Sequence, residues 1–158
     1  GLQYGAGEFT FACIARFDFQ KGQDLLLRAI ASARETLRAQ QRRTLFVGGG
    51  ATLAGAKKFV AETGIGDLVV FHGECADAGA YMLCAKVLVA PSRWEGMPYL
   101  LLEARERASA VLASDCAGNR AALAGYARAD FFPVGDIGEL AERLTGTLQK
   151  NRLADLAI

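Results

Sequence analysis

Residues 86–115 read KVLVAPSRWEGMPYLLLEARERASAVLASD. Two glutamates, Glu95 and Glu103, have seven residues between them, among which are Gly96, Pro98 and a block of leucines. An apolar run, KVLVAPS, precedes them and another, SAVLAS, follows. Continuous apolar runs predict strands buried on both faces, which is the pattern of a parallel sheet. A proline suits the first turn of a helix, where its missing N–H costs little, so Pro98 predicts a helix from there to about Arg107. The stretch is therefore strand, loop, helix, strand. In such a unit the loop and the helix N-terminus lie at the carboxyl edge of the sheet, where phosphorylated ligands bind.

The same alternation extends in both directions. FTFACIAR (Phe9 to Arg16) predicts the first strand. A helix from near Gly22 carries Leu26, Ala29, Ile30, Ala33 and Leu37 at helical spacing, and Arg42-Arg43 ends that section. TLFVGGG (Thr44 to Gly50) reads as a strand entering a glycine turn. The next helix has Leu53, Ala56, Phe59 and Val60 on one face and stops at Gly64 and Gly66. LVVFHG (Leu68 to Gly73) is a third strand, and Asp77 is placed to cap a short helix ending near Cys84. After the fifth strand, Ala110 to Ser114, a short helix from Asn119 to Leu123 leads to DFFPV, a sixth strand or edge. Asp136 and Glu139 have capping-box spacing for a last helix carrying Ile137, Leu140, Ala141, Leu144 and Leu148. Right-handed crossovers then give a doubly wound, six-stranded parallel α/β sheet of Rossmann type. Its ligand edge gathers the loops after Ala15, Val47, Phe71 and Ala90. Residues 1–8 read as a linker or boundary, 9–150 as the domain and 151–158 as a tail.

Composition narrows the function. The chain has 158 residues, 52% of them apolar, which is enough for one domain with a full core and argues against disorder. Its formal net charge of +1 predicts no broad attraction to nucleic acid or anionic membrane. No apolar run reaches the ~20 residues of a membrane span, and no secretory leader pattern is visible. Cys13, Cys75, Cys84 and Cys116 are scattered, with only His72 to join them as a metal ligand, so they read as small buried hydrophobes in a reducing compartment rather than as a zinc site.

Several polar groups fall on the predicted ligand edge. Arg16 and Lys21 lie five residues apart on the first loop, ahead of Gly22; together they can neutralise a diphosphate, or they are two solvated surface charges. Gly48-Gly49-Gly50 reads as a tight turn lining a cleft. It is not a dinucleotide fingerprint, because Leu53 stands where the third glycine belongs, and it is not a P-loop, because Ala56 stands where the lysine belongs. His72 reads as structural. Gly73, Glu74 and Cys75 can offer backbone groups to a flat base. At the predicted helix start, the N–H groups of Met97, Tyr99 and Leu100 would face an anion. Glu95 in the loop can face hydroxyls or a developing cation, and Glu103 can accept from a vicinal diol; the bland alternative makes them a loop charge and a helix-surface charge.

Taken together, ARFDFQKG (15–22), LFVGGG (45–50), VVFHG (69–73), PSRWEGMPYLLLEA (91–104) and VLASD (111–115), followed by an Asn119-led helix, resemble the C-terminal, donor-binding domain of retaining GT-B glycosyltransferases, the glycosyl transferases group 1 family. The resemblance runs from Phe11 to about Leu148. It implies transfer of a sugar from a nucleoside-diphosphate sugar to an acceptor hydroxyl with retained configuration. Arg16 and Lys21 would bind the diphosphate and Glu103 the ribose hydroxyls. Glu95 would contact the sugar near the reacting carbon, with Gly96, Met97, Tyr99 and Leu100 beside sugar or phosphate. Gly73 and Cys75 would lie near the base. No metal or other cofactor is implied, since the cation pair supplies the positive charge. The family pattern also implies a preceding acceptor-binding domain, negligible turnover without it, and a cytoplasmic location, with peripheral membrane association through that other domain left open. One departure stands out: where the family has a Gly and then a Pro before the fifth strand, this chain has Ala108 and Ala110, preceded by Arg105 and Arg107. The other readings are a non-catalytic or regulatory nucleotide-sugar-binding module and, more weakly, a nicotinamide-dependent enzyme.

Overall fold

The computed structural model describes residues 2–146; Gly1, the last-helix position Leu148 and the 151–158 tail lie outside the described residues. Six strands form one sheet: β1 (Phe9–Ile14), β2 (Thr44–Val47), β3 (Val69–Gly73), β4 (Ala85–Ala90), β5 (Ala110–Ser114) and β6 (Ala129–Phe132), in the order β3-β2-β1-β4-β5-β6. Every pairing is parallel, and Phe11 at the centre lies opposite Thr44 on one side and Val87 on the other. This is the doubly wound order, with its switch point between β1 and β4.

The helices are α1 (Gln23–Ser32), α2 (Arg34–Ala39), α3 (Leu53–Thr63), α4 (Tyr99–Glu106), α5 (Ala117–Ala122) and α6 (Ile137–Thr145), with a 3₁₀ segment at Ala78–Cys84. One face of the sheet packs Phe11, Cys13, Phe46, Val87, Val89 and Leu112 against Leu26 and Ile30 of α1, Val60 of α3 and Leu140 and Leu144 of α6. The other packs Ala12, Ile14, Leu45, Leu88 and Val111 against Tyr81, Met82, Leu101, Ala104 and Leu123. Truncating a side chain such as Leu26 or Ile30, which are fully buried, to Ala costs ~2–5 kcal/mol. Burial on both faces holds for β1, β2 and β5, whereas the edge strands β3 and β6 are only half covered.

The differences from the sequence reading are local. The helix after Gly22 is interrupted at Ala33, whose φ is −105° and ψ 14°, and there the Ser32 hydroxyl and the Arg34 guanidinium donate to the carbonyls of Ala29 and Ala31. Asp77 precedes the 3₁₀ segment but makes no side-chain cap; its carbonyl accepts from Ala80 instead. Asp136 does cap α6, accepting from the Glu139 N–H at 3.0 Å. Pro98 sits one position before α4 rather than inside it.

Candidate functional site

At the switch point the two central strands send their chains to opposite faces. The loop after β1 runs through Arg16 and Lys21 to α1, and the loop after β4 runs through Ser92 and Glu95 to α4. A cleft of about 440 Å³ opens between them, lined also by Gly48 and Gly49 after β2 and by Glu74 and Cys75 after β3. Small-molecule sites are roughly 300–1,000 Å³. The four loops expected at the carboxyl edge do converge there.

Close backbone contact holds the loops together. Gly22 has φ 72°, and a Cβ there would collide with the Pro91 carbonyl, so only glycine lets the first loop turn into α1 against the fourth. Gly48, at φ 137°, lies against the Ala15 carbonyl in the same way. The glycine turn thus serves close approach of the chain to itself, while Gly48 and Gly49 line the cleft. Arg93 forms the second tie. Its two terminal nitrogens donate to the two Asp24 oxygens, each at 2.8 Å, and Nη1 donates to the Phe19 carbonyl at 2.7 Å. The guanidinium lies over the Phe19 ring, 3.8 Å from its centroid.

Arg16, Lys21, Cys75, Glu95, Met97, Tyr99 and Leu100 all line the cleft. Lys21 Nζ lies 2.7 Å from Glu95 Oε1, and the Ser92 hydroxyl donates to the same oxygen at 2.8 Å. Arg16 is largely exposed, and its Nε donates to Asp18 Oδ2 at 2.9 Å. Burial pushes the Cys13 thiol, also in the lining, up to about 12 against the pull of Lys21, so it is a protonated, inert group. Among the described residues, no group of three or more His, Cys, Asp or Glu side chains is arranged to hold a metal ion.

Three expected site residues fall elsewhere. Gly73 and Gly96 are not in the lining. Glu103 is not in it either; its carboxylate faces Gly79, where a Cβ would come within 2.7 Å, and it pairs with Arg107 at 2.9 Å. The Tyr99 N–H, expected to face an anion, donates in this structure to the Met97 carbonyl at 3.0 Å. The cause is Pro98, whose φ of −79° and ψ of 81° make an inverse γ-turn. The N–H groups of Gly96, Met97 and Leu100 have no protein partner among the described residues.

The sequence reading missed a polar layer beneath the cleft. The Ser114 hydroxyl donates to the Ser92 carbonyl at 2.6 Å, and Asn119 Nδ2 donates to Ser114 Oγ at 3.1 Å. All three residues are buried. A signal existed: Ser92 and Ser114 each follow an apolar run at the carboxyl end of a central strand. Gly118 was missed as well; a Cβ there would strike the Glu95 carbonyl.

A sequence profile described as glycosyl transferases group 1 matches residues 3–156. The lipopolysaccharide core biosynthesis mannosyltransferase LpcC of Rhizobium leguminosarum bv. viciae is 37% identical over 115 residues, 69% of this chain and 32% of the relative. The GDP-mannose-dependent alpha-(1-6)-phosphatidylinositol monomannoside mannosyltransferase of Mycobacterium tuberculosis is 32% identical over 126 residues, 73% of this chain and 32% of the relative. The chain thus spans about a third of the length of these curated relatives. Among solved structures, a TarM variant of S. aureus crystallised with UDP superposes with a TM-score of 0.81 at 16% identity, covering 99% of this chain and 32% of that one. Anabaena HepE in complex with UDP and glucose gives 0.78 at 21% identity, covering 96% and 42%. At these identities the structural likeness establishes the fold.

Proposed function

Because the chain belongs to the glycosyl transferases group 1 family, we propose that it is the donor-binding, C-terminal domain of a retaining glycosyltransferase of GT-B architecture. The observation that carries the reading is the convergence, in one switch-point cleft, of Arg16, Lys21 and Glu95 with the unpartnered N–H groups of Met97 and Leu100.

In this reading the donor diphosphate lies between Lys21, Arg16 and the start of α4, where cations and helix dipole both favour negative charge. That positive charge stabilises the leaving diphosphate as the bond from the anomeric carbon to phosphate oxygen breaks, so the step needs no metal. Glu95 stabilises the positive charge that develops on that carbon as the acceptor oxygen bonds to it and the acceptor's proton passes to the departing phosphate oxygen. Glu103 exchanges Arg107 for the ribose hydroxyls, and Gly73 and Cys75 flank the base. GDP-mannose is the first donor to test, given the mannosyltransferase relatives, followed by UDP-sugars. The acceptor is held by a preceding domain, so this chain alone turns over negligibly. In this reading the whole enzyme works in the cytoplasm, and any peripheral membrane association is made through that other domain; no described helix is long and apolar enough to cross a membrane.

Thermal unfolding of the chain with GDP, UDP, ADP and NAD tests the proposal. Stabilisation by one nucleoside diphosphate, by mass action on the folded state, supports it. A shift that survives both Lys21→Glu and Arg16→Glu sinks the diphosphate site. The alternative reading is a nucleotide-sugar-binding or regulatory module of the same fold without catalysis. It predicts nucleotide binding with no turnover even after the acceptor domain is restored.

A further inference from the structure

Glu95 lies on the loop between β4 and α4, outside the regular ladders that fix a side chain's direction. Its carboxylate is nevertheless almost fully withdrawn from solvent, with 8% of the side chain exposed. Lys21 is one of its two partners, but a lysine ammonium sits on a long four-carbon stem, and in the reading above the donor diphosphate claims it. The other partner is Ser92, three residues away and 3% exposed.

Ser92 is itself held from below. Its carbonyl accepts from the Ser114 hydroxyl at 2.6 Å, and Ser114 Oγ accepts from Asn119 Nδ2 at 3.1 Å. Asn119 Nδ2 also donates to the Ser114 carbonyl at 3.0 Å, which ties the start of α5 to the end of β5. From the other side, Gly118 packs against the Glu95 carbonyl and Cβ so closely that a methyl group there would displace them. Both donors reach the same oxygen, Oε1. Oε2 has no hydrogen-bond partner among the described residues and is not completely buried, so what little exposure it keeps leaves it free for a ligand.

We propose that Ser92 is a positioning residue: its hydroxyl commits Glu95 Oε1 and keeps Oε2 as the oxygen that meets the donor sugar, including when the diphosphate draws Lys21 away. The inference rests on the reading of Glu95 as the residue facing the reacting carbon. A serine suits the task because its short side chain has one rotor, and the burial of its hydroxyl is offset by a charged acceptor. Supporting shells of this kind hold a functional group in its productive geometry.

The test is calorimetric titration of the 158-residue chain with GDP and GDP-mannose, and with UDP and UDP-glucose. The ratio of sugar-nucleotide to diphosphate affinity isolates what the sugar adds. Glu95→Ala brings the ratio to about one if Glu95 touches the sugar. Ser92→Ala and the nearly isosteric but weakly donating Ser92→Cys lower the ratio by about tenfold, the scale of one hydrogen bond to a charged group, with diphosphate affinity changed by no more than about twofold. Ser92→Thr, which keeps the hydroxyl, restores the ratio. A Ser92→Cys chain with the wild-type ratio overturns the proposal, as do Ser92 variants that weaken diphosphate and sugar nucleotide equally, since that is the mark of a merely structural role. A Glu95→Ala chain that keeps the ratio removes the reading of Glu95, and so does a wild-type chain with no sugar contribution; either result overturns the Ser92 role with it.

Discussion

Lys21 and Glu95 meet at 2.7 Å across the switch-point crevice, although 74 residues separate them in sequence. The contact joins the loop after β1 to the loop after β4, and it means that the cation best placed for a diphosphate is already paired. With 26% of the Lys21 side chain and 8% of Glu95 exposed, the pair is neither a solvated surface bridge nor a fully buried one. Opening it to admit a phosphate has an electrostatic cost that the ligand must offset.

The two single variants should therefore move diphosphate affinity in opposite directions. Lys21→Met weakens GDP or UDP binding by at least about tenfold through loss of a charge-assisted bond. Glu95→Gln frees the ammonium and removes a nearby negative charge, so it tightens binding by about threefold. Calorimetry on the two variants checks this, and weaker diphosphate binding by Glu95→Gln would contradict it.

The Arg93–Asp24 tie should respond to acid. Burial pushes the Asp24 carboxyl up, but hydrogen bonding and charge from Arg93, with Arg28 behind it, hold it below its ordinary 3.8. A depressed carboxyl contributes stability that is complete above its unfolded value and is lost as pH falls through the folded one. The stability difference between wild type and Asp24→Asn should stay flat from neutral pH down to about 4 and shrink on further acidification. Asp24 is nearly half exposed, so the whole effect is ~1 kcal/mol or less. A difference that grows below that pH, in urea unfolding curves taken at intervals, would refute the assignment.

Among the described residues Glu103 is held by an exposed i,i+4 pair with Arg107, worth about 0.3–0.5 kcal/mol, so a ligand can take it at little cost. Arg107→Ala should thus change unfolding stability by no more than about 0.5 kcal/mol. If Glu103 receives the ribose hydroxyls, Glu103→Ala erases the preference of the chain for UDP over 2′,3′-dideoxy-UDP. A preference that persists in the variant places the ribose elsewhere.

Two helix ends carry left-handed residues with side chains, Gln41 at φ 55° and Ala108 at φ 57°. Both close Schellman motifs: Arg42 N–H donates to the Leu37 carbonyl at 3.0 Å, and Ser109 N–H to the Ala104 carbonyl at 2.9 Å. Glycine adopts this conformation without the Cβ penalty. Ala108→Gly and Gln41→Gly should each raise unfolding stability by ~0.5–1 kcal/mol, visible as a higher Tm. A lower Tm for both would mean that chain entropy outweighs the relief.

How far the site could be read ahead varied residue by residue. The strand-five bounds Ala110–Ser114 agree between sequence and structure, because an apolar run flanked by polar residues permits one register. The placement of Arg16, Lys21, Glu95 and Leu100 at the cleft was legible because each follows a central strand or opens a helix at the predicted carboxyl edge. The partner of the Tyr99 N–H was not legible, because the ψ of Pro98 decides it and sequence constrains only the φ of proline. Ser92, Ser114 and Asn119 were passed over because none carries a charge, and their importance lies in mutual contact across three elements.

By itself, the order of apolar runs and helical faces determined a parallel sheet, its doubly wound topology and the edge where the four loops converge on a cleft. Those follow from the periodicity of burial and the handedness of crossovers, which are local or nearly local properties. Only the folded chain decided that Lys21 is paired to Glu95, that Ser92 shares the same oxygen, and that Arg107 holds Glu103 beside Gly79 rather than in the cleft. The reason is physical: a hydrogen bond is won or lost over a few tenths of an ångström, a distance set by how separate loops pack together and not by the spacing of residues along the chain.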